Sequence, residues 1–350
     1  MMTALKNGNP HIIGEYEGHE KGPLLICMAG MHGNEPAGVE ALKIIFHLLE
    51  KEPVSNPDFF FKGKIVGLLG NVEAYKRGQR NTVKDLNRQW TPENIKRILD
   101  NRQNGLHSED KEMKELLATL KEAVESYRPD SIVLLDLHTT SAHGGIFAIA
   151  TDDPESIRIA VELHAPVITG MLRGIHGTTL HFFSKENFNI LDALKMADEN
   201  GLDNSGKPPF DLSGTAITGV AFEAGQHDDP LSVNRCIAAI INCMRSIGIV
   251  SSNDVENRHD VLLQEYSKDL PKIAELIEVH HIGPLDEFKM LPGYKNFQPV
   301  HRGEALAKDR HGIIQSTEDG LILMPLYQPQ GSDGFFLIKE VNGGAVVSDQ

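Results

Sequence analysis

The sequence predicts an α/β protein in which a mixed sheet is flanked by helices, with a small β-rich domain at the C-terminus. Over the first two thirds of the 350 residues, apolar runs alternate with amphipathic stretches, as in strands and helices interleaved in one sheet. After Ser251 a polar stretch interrupts this pattern, and from Glu278 onward glycine and proline punctuate short apolar pieces. The predicted domains are therefore residues 1–252 and 253–350.

Short apolar runs rich in β-branched or aromatic residues predict the strands, and apolar residues at helical spacing predict the helices. The predicted strands span 22–29, 64–69, 131–136, 146–150 and 216–222. The predicted helices span 36–49, 111–127, 154–164 and 231–247. Segment 181–209 has no clear periodicity, and we expect a long surface loop near the functional site there.

The charge balance limits the classes of partner. The chain has 34 lysines and arginines against 49 aspartates and glutamates, a net charge of −15. Proteins that bind the phosphate backbone of nucleic acids need a basic face, so nucleic acid is not an expected partner. The same negative field repels anions at long range, so recognition of a carboxylate would need locally placed arginines.

The sequence predicts a cytoplasmic protein with no membrane partner. Its N-terminus lacks an apolar run of signal-peptide length, and the longest apolar stretch is too short to span a bilayer. Cys27, Cys236 and Cys243 lack the spacing of a metal site, and we expect them to fill the core in a reducing compartment. Whether the chain forms a homo-oligomer stays open.

Two histidines and a glutamate follow predicted strands in positions where they could meet. His32 and Glu35 lie three residues apart in the glycine-flanked turn GMHGNE after the strand 22–29, and His138 ends a second strand in LLDLHTTS. The carboxyl ends of neighbouring strands in an α/β sheet face one crevice, and two histidines with one glutamate leave zinc an open position for water. The alternative, that both histidines only make loop hydrogen bonds, stays open.

Other histidines offer weaker candidates for a metal site. His143, His176 and His181 lack a partner carboxylate at ligand spacing, so we do not expect them to bind metal.

A further carboxylate and a polar segment complete the candidate residues. Glu223 closes the strand 216–222, where it is suitably placed as a general base on metal-bound water, although a solvated strand-end acid is the alternative. Segment 70–90 has an irregular rather than a helical pattern. Four of its polar residues are candidates for binding a substrate carboxylate or for orienting the residues that bind it: Arg80, Asp85, Asn87 and Arg88. For Arg77 and Lys84 we expect a charged surface loop instead.

Four motifs, GMHGNE, the segment ending in DLNR, DLHTTS and FEAGQ, together resemble the succinylglutamate desuccinylase and aspartoacylase family. This family is a branch of the zinc carboxypeptidase-like group, and the resemblance spans about Gly30 to His227. It implies a zinc carboxypeptidase-like fold and a zinc-dependent hydrolase that cleaves the amide bond of an N-acyl amino acid. Four motifs in the family's order are far more specific than any one of them.

The resemblance also implies roles for individual residues. His32, Glu35 and His138 would bind one Zn²⁺, and Glu223 would be the catalytic carboxylate. Of the residues in segment 70–90, the resemblance assigns Arg80 to stabilising the oxyanion, Asn87 and Arg88 to binding the substrate α-carboxylate, and Asp85 to orienting His32.

One departure from the family concerns the acyl group. Aspartoacylase-like enzymes place an arginine shortly before the catalytic glutamate, but Phe210 to Phe222 contains none, which puts recognition of succinyl or aspartyl groups in doubt. Arg173 or Lys207 could substitute from loops, although such side chains are usually solvated. Tyr327 could reach over the site, although packing in the β-rich domain is the simpler expectation.

Two rival functions follow from the same residues. A zinc carboxypeptidase acting on short peptides shares the motifs but needs an extended cleft, which a C-terminal domain folded over the crevice would block. A metal-dependent carboxylate-binding protein without turnover would not need a general base at Glu223.

Overall fold

The computed structural model describes residues 8–100, 105–190, 211–251 and 258–341. The strands in chain order are β1 (Ile12–Glu17), β2 (Glu20–Ala29), β3 (Lys62–Leu69), β4 (Ser131–Thr140), β5 (Phe147–Ala150), β6 (Val167–Thr169), β7 (Ala216–Gln226), β8 (Ile273–His281), β9 (Lys289–Met290), β10 (Gln298–Val300), β11 (Ala305–Asp309), β12 (Gly312–Gln315), β13 (Gly320–Leu323) and β14 (Asp333–Glu340). The helices are α1 (Ala37–Ser55), α2 (Val72–Arg77), α3 (Pro92–Asp100), α4 (Ser108–Tyr127), α5 (Pro154–Glu162), α6 (Met171–Gly174), α7 (Thr179–Phe182), α8 (Lys185–Phe188), α9 (Ser232–Ser246) and α10 (Arg258–Ser267).

One large mixed sheet organises the described part of the chain. Its strand order is β1-β3-β2-β4-β7-β5-β6-β8-β14-β13-β10. Strands β3, β2, β4 and β7 run parallel, whereas β5 runs antiparallel to β7. The carboxyl ends of β2, β4 and β7 therefore lie side by side at one edge of the sheet. The predicted fold class, a mixed sheet flanked by helices, is confirmed.

Alternation along the central strands divides the core into two apolar clusters. In β4, Leu135 and Leu137 belong to the cluster that includes α1 and α9, and Ile132 and Leu134 belong to the cluster that includes α4. Successive side chains of a strand point to opposite faces, so Asp136 and His138 lie on the α4 side. The same period places Glu223 of β7 on that side.

All the predicted strands and helices are present, with ends shifted by a few residues. Cys27, Cys236 and Cys243 are free and buried, as predicted.

Two predictions, those of irregular structure in segments 70–90 and 181–209, were wrong in part. Segment 70–90 contains α2 and a 3₁₀ turn over Leu86–Arg88. Segment 181–209 begins with the end of α7 and with α8. Three phenylalanines of these short turns pack in the core, and their burial stabilises the turns. Residues 191–209 lie outside the described ranges.

None of the described helices combines the length and the hydropathy that crossing a bilayer requires.

The C-terminal strands extend the large sheet. β8 pairs in parallel with β6, and β14 pairs antiparallel with β8. A three-stranded sheet of β12, β11 and β9 packs with its own apolar cluster. The region is β-rich as expected, and its division from the first domain at residue 252 stays a prediction, since 252–257 lie outside the described ranges.

Gly33 allows the turn after β2 to contact the segment that follows β3. Its backbone N–H donates to Arg80 O at 3.1 Å. A Cβ atom at Gly33 would lie 2.1 Å from the carbonyl carbon of Ala74, at the centre of α2. Only glycine permits this approach of two backbones, and it places His32 beside the Arg80 segment.

Replacing Gly33 with alanine is expected to lower the free energy of unfolding by about 1–3 kcal/mol, because the added methyl group must displace the backbone of α2. Chemical denaturation followed by circular dichroism measures this change. Gly214→Ala is the matched control, since its Cβ would meet nothing within 4 Å. Equal stability of Gly33→Ala and Gly214→Ala would contradict the close approach.

Candidate active site

The candidate site lies at the carboxyl ends of β2, β4 and β7. His32 and Glu35 follow β2 in a tight turn that is closed by a hydrogen bond from Glu35 N to His32 O at 3.1 Å. His138 lies near the end of β4, directly opposite Glu223 of β7 in the sheet register. The parallel arrangement thus brings together the three segments that the sequence analysis singled out.

His32, Glu35 and His138 form a compact buried group. Glu35 bridges the two imidazoles, with His32 Nδ1 2.8 Å from Oε1 and His138 Nδ1 3.1 Å from Oε2. The backbone N–H of Thr139 also donates to Glu35 Oε2 at 3.0 Å. Ligand atoms of the three residues all lie within 4.8 Å of one another, and in the described part of the chain no other group of histidine, cysteine and acidic residues meets this criterion.

The far nitrogen of each imidazole faces a further carboxylate. His32 Nε2 lies 3.1 Å from Asp85 Oδ1, and His138 Nε2 lies 3.0 Å from Asp136 Oδ2. Thr179 donates its hydroxyl to Asp136 and so helps to hold this carboxylate. Metal-binding histidines usually have such a partner, which fixes the ring orientation. Sequence reasoning missed Asp136, although its position two residues before His138 places both on one face of β4.

The charges of the group shift its pKa values strongly. Burial alone would raise the pKa of Glu35, but His32 and His138 hold it well below its usual range. Burial alone would lower the pKa of His138, but Asp136 and Glu35 raise it well above its usual range. In the same way Arg80 and His32 hold the pKa of Asp85 well below its usual range against the effect of burial. Each of these shifts reflects the need of a buried charge for an opposite charge beside it.

Glu223 lies beside this group and retains a free acceptor. The residue is buried, and its Oε2 has no hydrogen-bond partner among the described residues. Burial, together with the nearby Glu35 and Asp136, raises the pKa of Glu223 to about 8, against the opposing effect of His138. A buried carboxylate with an unused oxygen is an arrangement that can exchange a proton with a bound molecule.

Arg80 and Asn87 also line the cavity. The guanidinium of Arg80 donates to Asp85 Oδ2 through Nε at 3.2 Å and Nη2 at 2.8 Å, and its Nη1 lies 3.8 Å from Glu35 Oε1. Asn87 accepts a hydrogen bond from Thr179 N at 3.0 Å. Both side chains are therefore held by their neighbours rather than exposed on a solvated loop.

Arg88 makes an ion pair that the sequence analysis did not anticipate. Its Nη2 donates to Asp333 Oδ2 at 2.6 Å, and Asp333 is the first residue of β14. His281 Nδ1 lies 2.8 Å from the other oxygen of Asp333. A residue 245 positions further along the chain thus reaches the site.

The C-terminal region forms one wall of the cavity. The cavity holds about 840 Å³ of empty space, its open mouth included, and its wall contains Met324, Leu326, Gln328 and Asp333. Gln328 accepts from Asn34 Nδ2 at 3.0 Å and lies 3.3 Å from His227 Nε2. These contacts attach the C-terminal segment to the loop that carries His32 and Glu35.

Several candidate residues lie elsewhere. Arg173 is exposed, pairs with Glu275 at 2.6 Å and does not line the cavity, so it does not replace the arginine that the sequence lacks. Lys207 lies outside the described residues. The hydroxyl of Tyr327 donates to Leu291 O at 2.8 Å, within the C-terminal region.

Arg77 and Lys84, which the sequence analysis assigned to a charged surface loop, each form an ion pair. Arg77 pairs with Glu73 at the surface, and Lys84 pairs with buried Asp110 at 2.5 Å.

The parallel strands and the His–Glu–His group at their carboxyl ends define an α/β protein with a candidate metal-dependent active site. Comparison with known families agrees with this description. Residues 21–190 match the succinylglutamate desuccinylase/aspartoacylase catalytic domain. These residues belong to the succinylglutamate desuccinylase and aspartoacylase family, as predicted, and contain three of the four motifs, whereas FEAGQ lies beyond residue 190.

Relatives and solved structures point the same way. The chain is 36% identical over 72 residues to a succinylglutamate desuccinylase of Pseudomonas fluorescens, a match that covers 21% of this chain and 20% of that protein. It is 29% identical over 137 residues to a probable aspartoacylase of a Nostoc species, with 39% of this chain and 42% of that protein covered. A solved succinylglutamate desuccinylase/aspartoacylase structure from Rhodobacter sphaeroides covers 94% of this chain and 88% of that chain at a TM-score of 0.59, with 14% identity. The chain thus spans a fifth to two fifths of these two curated relatives, and the structural likeness concerns the fold.

Two substitutions at the candidate site are expected to weaken metal binding to different extents. His138→Ala removes one atom of the candidate metal site and should abolish stoichiometric zinc binding, whereas Asp136→Asn leaves the three candidate ligands and should weaken it by about 10–100-fold. Competition with a chromophoric chelator measures both affinities. Asp152→Asn, on an exposed turn, is the control. Wild-type zinc affinity in His138→Ala would contradict this assignment of ligands.

Proposed function

We propose that the protein is a zinc-dependent hydrolase that cleaves the amide bond of an N-acyl amino acid. The observation that supports this most is the position of Glu223, which lines the same cavity as the His32, Glu35 and His138 group and whose buried Oε2 has no hydrogen-bond partner among the described residues. A group of metal ligands with a free carboxylate beside it is what metal-assisted hydrolysis needs.

The residues fit a zinc ion by the chemistry of their donor atoms. Two imidazole nitrogens and one carboxylate are a donor set that catalytic zinc takes, and it leaves a position open for a substrate or water. The carboxylates of Asp85 and Asp136 at the far nitrogens support this choice, because they direct both Nδ1 atoms toward Glu35. A zinc ion held there would supply a Lewis acid that activates water and polarises a carbonyl group.

Proton transfer, stabilisation of the developing oxyanion and binding of the substrate carboxylate are then assigned to other residues of the chain. In its ionised form, Glu223 accepts a proton from the attacking water and passes it to the nitrogen that leaves. A cation held by His32, Glu35 and His138 would favour that form, against the burial that raises the pKa of Glu223 to about 8. Arg80 donates to the oxygen of the attacked carbonyl, where negative charge develops, while Asp85 keeps its guanidinium in place. Asn87 and Arg88 hold the α-carboxylate of the substrate.

The shape of the cavity favours a small substrate over a peptide. Residues 324–333 of the C-terminal region close one side of the space next to the metal ligands. A carboxypeptidase that binds several residues of a peptide needs an extended cleft, which this wall obstructs. Turnover of a panel of N-acyl amino acids and of short peptides by the zinc-loaded protein tests the choice, and a preference for peptides would overturn it.

A second candidate is a metal-dependent protein that binds a carboxylate ligand without turnover. The same metal ligands and arginines would serve that function. It does not explain a buried carboxylate such as Glu223, because a binding protein gains nothing from a proton acceptor at that position. Zinc-loaded protein that binds N-acyl amino acids but releases no product would favour this candidate.

Glu223→Gln is expected to keep its zinc and to lose about a thousandfold in kcat, because the amide cannot accept the proton of water. Steady-state kinetics together with metal analysis measure both effects. Glu155→Gln, which changes an exposed glutamate on α5, is the matched control. Full activity in zinc-loaded Glu223→Gln would exclude Glu223 as the base.

Arg80→Met is expected to lower kcat/KM by about a hundredfold, since one donor to the developing oxyanion is lost. The control is Arg77→Met, because Arg77 is an exposed arginine in the same segment. An unchanged kcat/KM in Arg80→Met at full zinc occupancy would remove Arg80 from the reaction.

A further inference from the structure

We propose that Asp333 is a specificity-determining residue that selects substrates with an ammonium group on the side chain in addition to the α-carboxylate and disfavours substrates with a second carboxylate. The expected class is the N-acyl derivatives of diamino acids. This inference rests on the proposed function and specifies the substrate of the same site. It goes beyond the family assignment, because Asp333 lies in β14, outside the matched residues 21–190.

The pair of Arg88 and Asp333 presents opposite charges side by side. Arg88 Nη2 and Asp333 Oδ2 are 2.6 Å apart, and both side chains line the cavity. The side chain of Asp333 is 8% exposed, so solvent screens this pair poorly. A carboxylate of the substrate at Arg88 would therefore lie close to the carboxylate of Asp333, and a cation between or beside them would relieve the repulsion.

Asp333 is held in the sheet and cannot easily move away to release Arg88. Its backbone pairs with His281 across β14 and β8, and His281 Nδ1 is 2.8 Å from Asp333 Oδ1. The neighbouring residues are fixed as well, by hydrogen bonds from Ile282 N to Ser332 O at 2.8 Å and from Leu326 N to Gly334 O at 2.9 Å. Its carboxylate is thus a permanent part of the cavity wall rather than a group that a substrate displaces.

The charged residues of the cavity wall also favour a substrate that has an ammonium group and only one carboxylate. Its acidic residues are Glu35, Asp136, Glu223 and Asp333. Its two arginines are already paired, Arg80 with Asp85 at 2.8 Å and Arg88 with Asp333 at 2.6 Å. Even with a divalent cation bound, each arginine among the described wall residues has a carboxylate partner. With the α-carboxylate of the substrate sharing the donors of Arg88, a second carboxylate would have to compete with Asp85 for Arg80. The strand residues that precede Glu223 within the described part, 211–222, also contain no arginine or lysine.

The chemistry of the ligand follows from these charges. One carboxylate of the substrate shares the donors of Arg88, whose guanidinium has five N–H groups. A primary ammonium reaches Asp333 and forms a charge-assisted hydrogen bond in a poorly solvated place. An acidic side chain at the same position would meet Asp333 instead, which costs binding energy and so provides discrimination.

The test compares charged substrates with neutral ones of similar size. The probes are the N-acetyl derivatives of L-lysine and L-norleucine, and of L-glutamate and L-glutamine, with zinc-loaded protein. The expected wild-type kcat/KM is higher for lysine than for norleucine and lower for glutamate than for glutamine. Asp333→Asn should change the ratio of lysine to glutamate derivatives by about tenfold or more toward glutamate, because it removes one charge without changing size. Asp319→Asn is the matched control, since Asp319 also lies near a histidine of the C-terminal region but is 77% exposed.

The outcomes separate this inference from the proposed function. Turnover with a wild-type preference for the glutamate derivative, or an unchanged ratio in Asp333→Asn, overturns the role of Asp333 and leaves the hydrolase intact. If none of the four derivatives is cleaved, the thermal shifts caused by free L-lysine and L-glutamate decide. A larger shift with lysine that Asp333→Asn abolishes supports the role, and a larger shift with glutamate rejects it. If Asp333→Asn does not fold, the wild-type preferences alone decide.

Discussion

The bridge that Glu35 makes between His32 and His138 is the interaction on which the candidate site depends. Glu35 is 2% exposed, and its two oxygens lie 2.8 Å and 3.1 Å from the two imidazoles. A buried carboxylate is costly unless positive charge or hydrogen-bond donors compensate it. The strands, the turn after β2 and the outer carboxylates of Asp85 and Asp136 are all arranged so that this compensation occurs at one point.

The residues around this bridge are also held by ion pairs and hydrogen bonds. Asp85 joins His32 to Arg80, and Asp136 joins His138 to Thr179. These links fix the imidazole rings and the guanidinium before any ligand arrives, so that little ordering is left for the reaction. Glu223 stands outside these links. Oδ1 of Asp136 and Oε2 of Glu223 both lack a hydrogen-bond partner among the described residues, but Asp136 is already paired with His138 through Oδ2, so Glu223 is the residue that we propose for proton transfer.

The C-terminal region contributes to the site itself as well as covering it. Asp333 and Gln328 reach the cavity from the predicted β-rich domain, in which the sequence analysis had named Tyr327, and neither of these two residues, as a possible contact to the site. β8 and β14 extend the large sheet, and this continuity holds the C-terminal wall in register with the candidate metal ligands. The position of that wall is the reason why we propose a small substrate rather than a peptide.

The sequence by itself determined the fold class and the family of residues 21–190, because strand periodicity and short-range motifs are local properties. It also predicted the grouping of His32, Glu35 and His138, because the carboxyl ends of neighbouring strands in such a sheet face one crevice. It also contained the position of Asp136, which the period of two along β4 makes visible once His138 is assigned. Only the tertiary structure decided that Asp333 pairs with Arg88, because the two residues are 245 positions apart and no local pattern connects them. The same holds for Phe182, Phe183 and Phe188, whose short turns are stabilised by packing rather than by their own periodicity.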